Sequence, residues 1–196
     1  MKNPLIILLS FLIVSCSNNQ TQIEQHLDLM KSDKFWSIIS TAKSNSSGEL
    51  EKHVSEIEKE LLKLNKIEIV EFDNTFRKFR GEIYNWDFWA AAYIINGGCS
   101  DDCFSDFRGW LIFQGQNVFE SAINDIESIS KFKDISDGDW EAFSYLIYDT
   151  YYKKTGLDMP EGIVENYEIS GDEWSEDGDD LEKKYPKLWD KYTTNL

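Results

Sequence analysis

Apolar residues recur every three or four positions along most of this chain, the repeat that places them on one side of an α-helix. The clearest run is Glu49–Leu64, where Leu50, Val54, Ile57, Leu61 and Leu64 are spaced by four, three, four and three. Its Glu and Lys residues fall on the opposite, solvated side. Ahead of it, Asp33 reads as the N-cap of a helix whose apolar face is Phe35, Trp36, Ile38, Ile39 and Ala42. Ser44–Gly48 breaks that helix. Next, Lys66–Tyr84 carries the row Ile69, Phe72, Phe76, Phe79 and Ile83, and with it Arg77, Lys78 and Arg80, the densest basic cluster of the chain. The weak alternation Ile67-Glu68-Ile69-Val70 leaves a short strand as the alternative at its start. Further helices are expected at Val118–Ile126, at Asp139–Gly156 and from about Glu182 to Tyr192. Ser128–Asp137 reads as a loop, and Met159-Pro160 opens an irregular segment.

The pattern is densest between Asn85 and Gln116. Asn85 caps a helix of Trp86, Phe88, Trp89, Ala90, Ala91, Ala92, Tyr93, Ile94 and Ile95, apolar nearly all round and therefore expected to be buried. Asn96-Gly97-Gly98 stops it, because glycine enters the left-handed conformation that ends helices. Ser100 is the natural N-cap of the next helix. Asp101 and Asp102 fall in its first turn, and Phe104, Phe107, Trp110 and Leu111 form its buried face. Gly115 closes it. The unit is a helical hairpin with a tight turn.

Composition bounds the answer without naming a function. With 196 residues, 41% hydrophobic and 14% aromatic, the chain suffices for one folded core, and its three prolines suit helices. The expected fold is all-α, a single compact domain of about seven helices around the central hairpin. Net charge is −16, from 36 acidic and 20 basic side chains. That balance excludes nucleic acid and anionic lipid as natural partners, since phosphate binding needs a basic footprint. It fits a basic protein, a cationic ligand or a divalent metal, or simply solubility. The acidity concentrates at 165–182, with nine acidic side chains and no basic one.

Residues 1–16, MKNPLIILLSFLIVSC, carry Lys2 ahead of a short apolar run, too brief to span a bilayer and suited to a secretory signal. Their end, Ile13-Val14-Ser15-Cys16, resembles a bacterial lipobox, which implies cleavage before Cys16 and lipidation of its thiol. Several acyl chains make a stable anchor. The residue after Cys16 is Ser17 rather than Asp, so outer-membrane attachment at the cell envelope is expected. The domain plan is thus a leader at 1–16, a polar tether at 17–32 and a helical domain at 33–192.

Candidate chemistry is sparse. His26 and His53 lie far from Cys99 and Cys103 and match no zinc pattern. Asp172, Glu173, Glu176, Asp177, Asp179 and Asp180 have a calcium-loop composition without its offsets, since Gly178 at the sixth position puts Lys184 at the twelfth. No metal or cofactor is expected. A catalytic Cys99 would need a base that the sequence does not place beside it. In an oxidising compartment Cys99 and Cys103 either form a local disulfide or remain free thiols. Asp102 and Asp106 share a helical face, and Asp101, Ser105 and Arg108 line one stripe. Capping and ion pairing, with Arg77 or Arg80 brought in by folding, account for these residues. Contact with a ligand or partner is the alternative.

The block WDFWAAAYIINGGCSDDCFSDFRGWLIFQGQNVFESAI resembles the centre of the DUF4240 family, a bacterial domain of unknown function. Asp33-Lys34-Phe35-Trp36 and the closing Asp180-Leu181…Tyr185-Pro186-Lys187-Leu188-Trp189 extend the likeness over roughly Asp33–Tyr192. Matching positions are Trp86, Gly97, Gly98, Cys99, Ser100, Asp101, Asp102, Phe107, Arg108, Trp110 and Gly115; Cys103 is outside the pattern. The resemblance implies a mainly helical fold and carries over no reaction. The resemblance also implies many relatives without such a leader, in the cytosol, so the lipobox leader looks like an addition here. Three functions stay open: a non-enzymatic binding module for a basic protein partner, immunity-like in kind; a hydrolase with its site at Ser100, Asp101, Asp102 and Arg108; and a structural lipoprotein without a dedicated site.

Overall fold

The computed structural model describes residues 26–132, 137–165, 168–175 and 179–193. The leader, Cys16, Glu176 and Asp177 lie outside the described residues. Those described are helical apart from their connections, with one isolated parallel bridge, Asn85 to Ser170, in place of a sheet. The all-α expectation holds, and the short-strand alternative at Ile67–Val70 falls inside a helix. None of the described helices is long and apolar enough to cross a membrane.

Ten α-helices are present among the described residues, rather than about seven: α1 Ser32–Ser46, α2 Leu50–Lys63, α3 Lys66–Glu82, α4 Trp86–Asn96, α5 Asp101–Phe113, α6 Gln116–Asn124, α7 Asp137–Glu141, α8 Leu146–Thr155, α9 Asp179–Lys184 and α10 Pro186–Thr193. A 3₁₀ turn, Ile126–Lys131, occupies part of the expected loop after α6. The extra helices come from breaks in two expected ones. Phe143 N–H bonds Trp140 C=O and Ser144 N–H bonds Glu141 C=O, tight turns that separate α7 from α8. Trp140 and Phe143, at this break, are both buried in the core. Pro186 separates α9 from α10, where it starts the new helix with its fixed φ.

Local caps follow the sequence in most places. Asn65 makes a full capping box with Glu68 at the start of α3, Asn85 accepts from Phe88 N–H, and Ser100 accepts from Cys103 N–H. The first helix differs. It starts at Ser32 behind Lys31 with no side-chain cap, and Asp33 sits in the first turn, where its charge meets the helix dipole.

The core centres on α5. From Phe107 to Phe113 every residue of this helix is buried, Arg108 included. Helix α3 crosses it closely at Gly109, where an added Cβ would stand 3.4 Å from the Phe76 ring. Helices α4, α6 and α7 also pack on α5, α1 pairs with α2, and α10 lies against α4. Aromatic rings fill the joints: Phe113 stacks on Phe143, Phe107 meets Trp140 edge-on, and Trp89 stacks on Phe104.

Two irregular segments are held as firmly as the helices. The chain expected to be a tether through residue 32 docks on α3 from His26 onward: Met30 is buried and its N–H reaches Thr75 Oγ1 at 2.8 Å. The acidic segment is pinned in its middle by Trp174, whose indole N–H donates to Trp86 C=O at 3.0 Å and whose ring lies on Tyr93.

Candidate functional site

Helix α3 supplies the basic side of the site. Its apolar row turns Phe72 and Phe76 into the core, and the helical repeat then sets Asp73, Arg77 and Arg80 along a neighbouring stripe. Asp73 is buried and accepts from Arg77 Nε at 2.6 Å. Burial holds its carboxyl above the usual aspartate range, and Arg77 opposes that rise. Arg77 also contacts the hydroxyl of Tyr148 on α8. Burial and the Asp73 carboxylate push the Tyr148 phenol upward.

Helix α5 supplies Arg108, which is only 4% exposed. Its guanidinium lies beside two stacked rings, 4.7 Å from the centroid of Tyr84 and 5.1 Å from that of Phe104. One nitrogen donates to the Arg80 carbonyl at 3.0 Å and reaches Glu165 Oε2 at 3.5 Å. The other Glu165 oxygen is 3.1 Å from Arg80, whose second nitrogen donates to Ser105 Oγ at 2.5 Å. One buried carboxylate therefore serves two guanidinium groups. Burial first, and the Arg80 charge second, lower Arg108 to about 10. The Nε atoms of both Arg80 and Arg108 are buried without a hydrogen-bond partner among the described residues.

These groups line a cleft of about 340 Å³ bounded by Arg77, Arg80, Tyr84, Trp89, Asp101, Asp102, Ser105, Arg108, Tyr148 and Glu165. A second hollow of about 410 Å³ continues from it across Arg80, Asp102 and Ser105 to Asp106, Glu141 and Ser144. The sequence candidates thus separate into different roles. Asp101 and Asp102 stand exposed at the mouth, with no ion pair among the described residues. Arg108 forms the floor. Ser100 is exposed and spent on its capping bond, outside the cleft lining.

The expected stripe of Asp101, Ser105 and Arg108 does not form as an ion-paired set. Ser105 pairs with Arg80, and Arg108 is answered by Glu165. A distant segment thus supplies the counter-charge that local helix spacing assigned to Asp101. Asp106 contacts the Ser144 hydroxyl rather than a basic group. Sequence reasoning missed Asp73, Tyr148 and Glu165. The available signal was the run Asp73-Asn74-Thr75, three polar residues between two core phenylalanines.

In the structure Cys99 and Cys103 are joined as a disulfide, their Cα atoms 5.4 Å apart. The bond closes the turn between α4 and α5, and the Trp89 indole donates to Cys99 C=O at 2.9 Å, fixing the ring that walls the cleft. His53 is far from any thiol role: it is buried edge-on against Phe143, and burial together with Lys43 lowers it to about 4. His26 meets two carboxylates on α3 and beside it, Glu71 at 3.2 Å and Asp28 at 3.8 Å. This is the one set among the described residues with three groups able to share a cation. The spacing of the two histidines gave no sign of it.

No curated protein and no solved structure matches the chain. A family profile does match, over residues 30–153, which takes in every arginine of the cleft and stops before Glu165. That is more than half of the 196 residues, and the chain belongs to the DUF4240 family, whose description is a protein of unknown function.

Proposed function

We propose that this protein is an envelope lipoprotein whose helical domain is a non-enzymatic binding module for a basic protein partner. The carrying observation is the unequal pairing of charges around the cleft. Behind the cleft Asp73 has Arg77, and on its floor Glu165 has Arg80 and Arg108; at the mouth, Asp101 and Asp102 have no ion pair among the described residues. Unpaired carboxylates beside a concave, part-aromatic surface suit the end of a lysine or arginine side chain, and the net charge of −16 steers such a partner inward. The membrane part of the proposal rests on the leader alone and on Cys16 as the lipidated residue. Replacing Cys16 by Ala should move the protein from the membrane to the soluble fraction; retention in membranes would refute the lipid anchor. For the partner, wild-type protein and a double Asp101→Lys, Asp102→Lys variant are compared as baits in envelope extract at low salt. The module reading fails if neither retains a partner, or if both retain the same one equally.

A second reading has its own support. Tyr148 lines the cleft and meets the buried Asp73 through Arg77, and both have raised pKa values, a combination that recurs at catalytic sites. A hydrolase would then use this inner network rather than Ser100. Tyr148 is exposed enough for Tyr148→Phe to fold normally. Loss of turnover with unchanged ligand affinity would favour the enzyme.

A further inference from the structure

The cleft is polarised. Its floor holds Arg80 and Arg108 around the single carboxylate of Glu165, one positive charge in excess, while Arg77 is balanced by Asp73. Its mouth holds Asp101 and Asp102, two negative charges in excess. A guanidinium offers five N–H donors. Arg108 directs one nitrogen to Glu165 and the Arg80 carbonyl, and its buried Nε meets no acceptor among the described residues; the Nε of Arg80 is in the same condition. With two guanidinium groups answered by one carboxylate, the floor is short of one planar anion. The half-buried rings of Tyr84 and Trp89 line the same cleft and offer a surface for an aliphatic stem.

We propose that the cleft is a receptor for an amino-acid-type zwitterion, with its carboxylate on Arg80 and Arg108 and its cationic group on Asp101 and Asp102. The inference rests on the reading of the cleft as a binding site and narrows its ligand. A volume of about 340 Å³ lies near the lower end of small-ligand pockets, roughly 300–1,000 Å³, and accommodates a single residue rather than a long segment. A carboxylate fits better than a phosphate. The floor lacks only one negative charge, and a dianion entering a protein of net charge −16 past two aspartates meets repulsion that a zwitterion offsets with its own cation. The carboxylate has two sources, a free basic amino acid or the C-terminal lysine or arginine of the partner.

Titration calorimetry on the full-length protein in detergent distinguishes these. The probes are a short peptide ending in lysine, the same peptide with a C-terminal amide, free L-lysine and inorganic phosphate. The expected result is that amidation weakens binding at least tenfold and that Asp102→Asn, a change at an exposed position, weakens the free acid by a similar factor. Binding of L-lysine as tight as the peptide assigns the site to a free amino acid; much weaker binding assigns it to a chain terminus. Equal affinity of acid and amide would overturn the zwitterion while leaving a basic partner intact, because the mouth aspartates would still select it. Phosphate binding tighter than either peptide would also overturn it, as would no binding by any probe. None of these outcomes alters the bait comparison above, so the two ideas fail separately.

Discussion

At the scale of single residues, leverage belongs to polar side chains set within apolar faces. Asn74 is fully buried in α3 and makes three hydrogen bonds. Its amide donates to the carbonyls of His26 at 2.8 Å and Asp28 at 3.0 Å, and its oxygen accepts from Ile163 N–H at 2.9 Å. Gly162 passes so near that an added Cβ would lie 2.3 Å from that oxygen. Gly162→Ala must therefore displace the loop or the amide, and it should lower stability by about 2–3 kcal/mol, the cost of overpacking together with a lost buried hydrogen bond. A urea midpoint unchanged from wild type would show that the loop does not bear on Asn74. His53 yields a pH prediction. Its folded pKa of about 4 lies below an unfolded value near 6.5. Between those values the unfolded chain binds the extra proton, so stability falls as pH drops from about 6.5 towards 4 and is fully present above that window. The largest effect is about 3 kcal/mol by the same linkage. In His53→Leu the difference between urea midpoints at pH 7 and pH 4.5 should shrink, and an undiminished difference would place the acid sensitivity elsewhere. Little at this scale was legible beforehand. Helical spacing placed Arg108 correctly on α5, but it holds no information on a partner 57 positions away.

At the scale of elements the reading from sequence went much further, because caps and apolar rows are local. The Asn85 and Ser100 caps, the stop at Gly97 and the burial of α4 and α5 all follow from residues within one or two turns. Misses arose where tertiary packing overrode local pattern. One apolar run over Asp139–Gly156 became α7 and α8, with Trp140 set against Phe107 and Phe143 against Phe113. The helix expected from about Glu182 to Tyr192 is present, split at Pro186, and it packs into the fold. Leu181, Tyr185 and Leu188 are buried, and Asp87 of α4 accepts from both Lys184 and Tyr185. A chain ending at Gly156 loses these three side chains and Glu165 together. Burying one such side chain contributes about 1.5–3 kcal/mol, and removing one partner of a buried ion pair costs about 3–5 kcal/mol. The truncated protein should not unfold cooperatively in denaturant, although it retains the whole family-matched region. A sharp transition with wild-type midpoint would mean that the carboxy-terminal helices are dispensable.

At the scale of the whole molecule, charge dominates. The net charge of −16 on one domain means that the folded state works against its own repulsion. Most of the ion pairs are exposed or half-exposed lysine–carboxylate contacts, each of small value. Screening should therefore help more than it harms. Raising NaCl from 20 to 300 mM is expected to add about 1 kcal/mol, or roughly 2–4 °C in melting temperature for a chain of this size. A falling melting temperature would show that surface pairs outweigh the repulsion. Fold class and net charge were readable from composition and periodicity. The cleft was not, since its walls come from α3, α4, α5, α8 and the segment holding Glu165, and only folding collects them.

Asn74 also sets a mechanical path through the molecule. One side chain grips the backbone arriving from the N-terminus at His26 and Asp28, and its other end grips Ile163, two residues before Glu165. Tension drawn through the N-terminal segment bears first on Asn74 and on the bond from Met30 to Thr75. From Asn74 it passes to the loop that sets Glu165 between the two arginines. A domain pulled from that end would feel the load at its charged cleft before its aromatic core.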